Sequence, residues 1–216
     1  MKVGIIAEDS SDVETLKVLI RRLKGDNRLS VKWPSFGGGP NMLNKGWKHL
    51  NFLFDEGCTH FVICYDSDGH NPEERFREAA DRIVRPSQVS HDSCCIVIPV
   101  QEIEAWLLAD LPNAAPKVFK GWRNPPEFTN PESIASPKER LERESRGTNK
   151  KPRYSHAIHN PQMAEHIDFQ ALRKRCSSFI QLDRFVRQEA FRPPFPKPPE
   201  LAAKSDDDNN TQNSTP

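Results

Sequence analysis

Hydrophobic and polar positions alternate along the first hundred residues between two patterns. Short unbroken apolar runs lie at residues 3–7, 61–65 and 94–98. Runs of this length without polar interruption predict strands covered on both faces, as in a parallel sheet. A weaker strand is expected where Leu29, Val31 and Trp33 alternate with polar residues. Between the runs the period changes to that of a helix. Val13, Leu16, Leu19, Ile20 and Leu23 predict one helix, ended by Gly25. Leu43, Trp47, Leu50 and Phe54 predict a second, closed by Gly57, and Phe76, Ala79, Ala80 and Ile83 a third. Ser11-Asp12-Val13-Glu14 has the form of a capping box, and Asn71-Pro72-Glu73-Glu74 that of a capped start with proline in the first turn. Strands alternating with helices predict an α/β, Rossmann-like parallel sheet of about four strands with right-handed crossovers.

The pattern then changes. Residues 100–110 are expected to be helical, with Ile103, Trp106 and Leu107 on one face and Glu102 in the first turn. From residue 112 prolines are frequent and basic side chains stand among Trp122, Phe128 and Tyr154. Residues 168–186 return to helical spacing through Phe169, Leu172, Cys176, Phe179, Leu182 and Phe185. Residues 193–199 are almost all proline, and 205–216 carry no apolar side chain, so a polyproline stretch and disorder are expected there. The division is a core at 1–111, a basic, partly helical extension packed on it at 112–190, and a Pro-rich disordered tail at 191–216.

Composition narrows the function classes. Lys+Arg is 31 against 30 Asp+Glu, a net charge of +1, so any contact with a polyanion must come from a local basic surface. Lys117, Lys120, Arg123, Lys138, Lys150, Lys151 and Arg153 could supply it, with the aromatics stacking on bases, although neighbouring glutamates dilute the charge. The five cysteines form no C-x-x-C pair, which suggests reduced, buried thiols. No apolar stretch has the length of a membrane span, and the first residues enter a strand directly. A cytoplasmic location without membrane contact is expected. The oligomeric state is not fixed by these patterns, and a homo-oligomer stays open.

The candidate chemistry lies where strands end. Phe61-Val62-Ile63-Cys64-Tyr65 runs into Asp66-Ser67-Asp68-Gly69, and the first strand runs into Glu8. Glu102 or Glu104 follows the fourth. Open α/β sheets bind ligands just past the carboxyl ends of their strands. Carboxylates gathered there repel unless a cation or proton separates them, and oxygen-only donors suit Mg²⁺ or Mn²⁺. Divalent metals so placed stabilise attacking and leaving oxygens in phosphoryl transfer. Gly37-Gly38-Gly39-Pro40 lacks the lysine of a P-loop and is expected to be a flexible loop. His156, His159 and His166 are expected at the surface.

An acid after the first strand and Asp-x-Asp after the third resemble the Toprim pattern of topoisomerases and primases, also found in overcoming-lysogenization-defect nucleases and RloB-like proteins. With residues 6–12, 65–68, Val100-Gln101-Glu102-Ile103-Glu104-Ala105-Trp106-Leu107-Leu108-Ala109-Asp110, and more weakly 136–138 and 176–179, the chain is similar to the small Toprim-like family called domain of unknown function 4276. The likeness covers most of residues 1–187. It implies a Toprim-like fold, Mg²⁺ or Mn²⁺, and cleavage of DNA or RNA phosphodiesters. Glu8 matches the catalytic glutamate, and Asp66 and Asp68 match the metal ligands. An ATPase partner and an antiphage defence setting are also implied. Asp9 stands where the glycine after that glutamate is usual. Two rival readings are a phosphoacceptor receiver-like regulatory domain and a non-catalytic Toprim-like binding module. The first would require a lysine after a fifth strand.

Overall fold

A computed structural model describes residues 1–34, 39–122, 124–146 and 153–187. Arg123, Lys150, Lys151, Gly37, Gly38 and the Pro-rich tail lie outside the described residues. Four parallel strands, β1 (Lys2–Ile6), β2 (Ser30–Lys32), β3 (His60–Cys64) and β4 (Cys94–Val97), form one sheet in the order β2-β1-β3-β4. The chain moves from β1 to β2 on one side and returns to β3 on the other. The topological switch point therefore falls between β1 and β3, where their carboxyl ends leave a crevice. This is the α/β arrangement with flanking helices that the sequence predicts.

The apolar runs are unbroken because both sheet faces are covered. Val62 and Cys64 of β3 join one buried cluster with α1 (Ser10–Lys24), while Phe61, Ile63 and Tyr65 join another with α2 (Gly39–Asp55) and α3 (Pro72–Ala79). The α1 side is completed by later residues. Trp106 in α4 (Glu104–Leu108), Ala114 in α5 (Leu111–Val118), Leu141 in α6 (Pro137–Glu144), Met163 in α7 (His156–Ala164), Leu172 in α8 (Phe169–Arg175) and Phe179 in α9 (Ser177–Arg187) share the cluster with Val3 and Ile5 of β1. Glu132 fastens this cover by accepting hydrogen bonds from the amides and hydroxyls of Ser177 and Ser178 at the start of α9.

Several local expectations change. The cap of α1 is Asp9, whose Oδ1 accepts from the amides of Ser11 (2.6 Å) and Asp12 (3.1 Å), so no capping box forms from Ser11. The buried stripe of α2 is Gly39, Met42, Leu43, Gly46, Leu50 and Leu53, while Phe54 is 47 % exposed. Gly46 sets this rotation: a Cβ there would lie 3.0 Å from Ile83, so α2 packs through a position with no hydrophobic signal. The expected helix over 100–110 begins only at Glu104, because Gln101 takes φ +72° and is tied to the loop after β3. That leaves Glu102 in the preceding loop rather than in a helical turn. The C-terminal helical stretch breaks at Cys176 into α8 and α9. The histidines are half-buried, His159 resting 4.5 Å from Phe119, where surface positions are expected. All five cysteines are free and buried.

Candidate functional site

Glu8 leaves β1 at the switch point. Its Oε1 accepts a hydrogen bond from the backbone of Asp66 (3.2 Å), which leaves β3 beside it, and the backbone of Gly39 also bonds the carboxylate. Gly39 comes so close that a Cβ would lie 2.7 Å from Glu8 Oε2. Glycine lets the backbone come this close, and a larger residue would push the Glu8 carboxylate aside; Gly39 opens α2 rather than belonging to a loose loop.

The loops after β3 and β4 are bonded to one another. Ser67 N donates to Pro99 O (3.1 Å), Asp68 N to Gln101 O (3.1 Å) and Gln101 N to Ser67 Oγ (2.8 Å). Asp68 (φ +48°) and Gln101 (φ +72°) both hold left-handed backbone. Strain of this kind costs on the order of 1 kcal/mol or more per residue and persists where surrounding bonds fix it, commonly at functional sites.

Two further acids reach the same place. Asp12, in the first turn of α1, is 7 % exposed, and Glu104, at the start of α4, is 4 % exposed. Asn160 Nδ2 donates to Glu104 Oε1 (3.0 Å), and the Tyr154 hydroxyl lies 3.4 Å from the same oxygen while also contacting Asn160 Oδ1. Burial pushes the Asp66 carboxyl well above the usual range, and the charges of Asp12, Glu104, Glu8 and Asp68 push it further. Asp12 is raised by burial and then by Asp9 and Glu104, against a bond from the Asp9 backbone. Burial raises Glu8 too, opposed by the Asp66 amide and the Arg75 charge.

Of the acids expected from sequence, Glu8, Asp66, Asp68 and Glu104 thus share one field at the switch point. Glu102 does not join them around Asp66: its Oε2 accepts from the backbone of Lys138 at 3.0 Å. Asp12 was hidden by its position in a helix start, where acids are common. Its signal is that it lies one turn before Leu16 on the buried stripe, where a charge has no structural reason to be.

The basic residues divide differently. Lys138 lies at Glu102, Arg153 Nη1 donates to the Lys120 carbonyl (3.4 Å), and Lys117 Nζ donates to Asn113 within α5 (2.8 Å). None of these four lines the groove beside the acids. That groove, of about 310 Å³, is instead lined by Glu8, Gly39, Tyr65, Asp68, Arg75 and Arg82, among others.

The donor chemistry fits a small divalent cation. The acids whose charges bear on Asp66 are all oxygen donors. Among the described residues, no three His, Cys, Asp or Glu form a preformed cage for a metal. Mg²⁺ needs none: it is commonly held by one or two carboxylates together with waters and substrate oxygens. The expected ligand set of Glu8, Asp66, Asp68, Glu102 and Glu104 is therefore not assembled as a unit.

This crowding predicts an unusual pH dependence. Asp66 and Asp12 hold protons in the folded chain at pH values where the unfolded chain, near pH 4, has released them. The folded state then binds more protons, and stability falls as pH rises through the raised values. His49, His60 and His159, lowered by burial, act in the opposite sense below about pH 6.5, so the informative window lies above it. In EDTA, Tm is expected to fall as pH rises above about 6.5, and saturating Mg²⁺ to remove most of that fall. A flat or rising Tm in EDTA would contradict the crowded-acid description.

Comparison with curated proteins and with solved structures gave no match. Residues 7–187, from the end of β1 to the end of α9, match the family described as "Domain of unknown function (DUF4276)", and the chain belongs to that family.

Proposed function

We propose that the protein is a Mg²⁺- or Mn²⁺-dependent, Toprim-like nuclease that cleaves DNA or RNA phosphodiesters. The observation that carries this reading is the convergence of Glu8, Asp12, Asp66, Asp68 and Glu104 at the switch point of a parallel sheet. When bound, the metal would act as a Lewis acid on the phosphoryl oxygens. Asp66 and Asp68 would hold it, with Glu8 or Glu104 completing the donors.

Glu8 has a second role open to it. Its Oε1 is fixed by the Asp66 amide, and Oε2 faces Gly39 on the groove side. Burial raises this carboxyl above the usual carboxylate range, which makes it a better proton carrier than a free one. Oε2 is the atom we assign to that transfer. Asp12 and Glu104 lie deeper, both buried.

The resemblance to Toprim nucleases supports a role in prokaryotic antiphage defence with an ATPase partner. It also supports a cytoplasmic location. No helix among the described residues is long and apolar enough to cross a membrane. The receiver-like alternative is less favoured, because the sheet of the described residues has four strands and β4 leads into the acidic turn carrying Glu102 and Glu104.

The test is incubation of purified protein with labelled single- and double-stranded DNA and RNA in Mn²⁺, Mg²⁺ or EDTA. Cleavage of at least one substrate in Mn²⁺ and of none in EDTA is expected. Absence of carboxylate-dependent Mn²⁺ binding by calorimetry, with no cleavage of any substrate, would favour the binding-module alternative.

A further inference from the structure

The groove beside the acids has a second wall of opposite character. Arg75, Glu78 and Arg82 recur along α3 and its continuation, a π-helical turn at Ala80–Val84. All three line the groove, while Phe76, Ala79 and Ile83 of the same segment are buried in the core. The Arg75 guanidinium lies over the Tyr65 ring, 4.7 Å from its centroid. Its Nη1 donates to Tyr65 Oη and to Glu78 Oε2 (3.1 Å), and the Tyr65 hydroxyl donates to the same carboxylate oxygen (3.1 Å). Arg82 binds the other oxygen of Glu78 (3.2 Å) and reaches Asn44 on α2.

Two guanidinium groups thus face one carboxylate, leaving this wall with one surplus positive charge. Arg75 is held by stacking and hydrogen bonds, and its side chain is 19 % exposed. Its buried Nε has no hydrogen-bond partner among the described residues. A buried donor left unsatisfied is costly and calls for an explanation. A planar guanidinium already fixed in place is well matched to the paired oxygens of a phosphate.

Glu8 and Asp68, from the loops after β1 and β3, line the same groove. These acids repel a phosphodiester until a cation intervenes, so the strand needs a cationic hold as well. A groove of about 310 Å³ has room for one nucleotide unit and not for a folded partner.

We propose that Arg75 anchors a phosphate of the nucleic-acid strand in this groove, with Tyr65 and Glu78 holding the guanidinium and Arg82 as a second, more exposed contact. The proposal rests on the nuclease reading and moves the substrate contact from Lys117, Lys120 and Arg153 to α3.

The experiment measures fluorescence anisotropy of a fluorescein-labelled single-stranded oligonucleotide, as DNA and as RNA, in Ca²⁺. Arg75→Ala is expected to weaken binding by roughly tenfold or more, and Arg75→Lys to recover part of it, because lysine restores the charge without the fork. The slope of log affinity against log salt should drop by about one phosphate contact. Arg82→Ala, at a side chain 43 % exposed, tests the same wall without risk to the fold and should weaken binding by about threefold. Lys117→Ala and Lys120→Ala should change little.

Wild-type affinity in both a folded Arg75→Ala and Arg82→Ala overturns the proposal, as does absence of binding by the wild type. Cleavage assays on the same proteins in Mn²⁺ separate this from the wider reading. A wild type that cleaves while both variants bind normally loses only the anchor. A wild type that binds through Arg75 and never cleaves loses only the nuclease assignment.

Discussion

Asp66→Asn is expected to abolish Mn²⁺-dependent cleavage while raising the stability of the metal-free protein. The two effects have one cause. Asp66 is surrounded by Asp12, Glu104, Glu8 and Asp68, and its charged form is disfavoured by burial and by all four. Asparagine keeps the shape and removes the charge. Relief of that repulsion should contribute about 1–2 kcal/mol, raising Tm by about 3–6 °C for a chain of this size. The same exchange removes a donor for the metal. Loss of several kcal/mol of transition-state stabilisation corresponds to a rate decrease of roughly a thousandfold or more. Melting in EDTA at about pH 7.5 and cleavage in Mn²⁺ measure the two sides. Ordinary core damage would lower both activity and Tm, so an Asp66→Asn protein that melts below the wild type would count against the site.

Asn160→Leu should give the largest loss of stability of any single exchange near the site. Asn160 is fully buried, 56 residues from Glu104 in sequence, and joins its carboxylate to the Tyr154 hydroxyl. Leucine fills nearly the same space but leaves a buried carboxylate without its shortest hydrogen bond and a buried phenol with only its longer contact to that carboxylate (3.4 Å). Removing one member of such a network costs about 2–4 kcal/mol, or a Tm drop of roughly 5–15 °C. Tyr154→Phe, which removes only the hydroxyl, should cost about 1 kcal/mol. In the Asn160→Leu, Glu104→Gln double variant part of the loss should return, because the stranded charge is gone. Strictly additive losses would show that Asn160 does not act through Glu104. The network also joins α7, late in the chain, to the acid that follows β4, so the C-terminal helices shape the pocket as well as covering the sheet.

Much of the pocket was legible because β1 and β3 each end beside an acid. The apolar run before Asp66 is unbroken because both sheet faces are covered, and a parallel strand covered on both faces places its last residue at the ligand-binding edge. Glu8, Asp66 and Asp68 follow from local sequence alone. The cap of α1 was misplaced because Asp9 and Ser11 can both cap, and only the direction of the chain leaving β1 selects Asp9. The stripe of α2 was misplaced because glycines pack without announcing it.

The sequence by itself determined the alternation of strands and helices, and with it the edge of the sheet at which the strand-end acids gather. Tertiary structure alone decided that Asp12 turns inward, that Glu104 rather than Glu102 reaches Asp66, that Asn160 holds Glu104, and that Arg75 and Arg82 line one groove with the acids. The physical reason is distance along the chain. Periodicity and capping act within a few residues, whereas these four placements depend on contacts between segments that meet only once the sheet is covered.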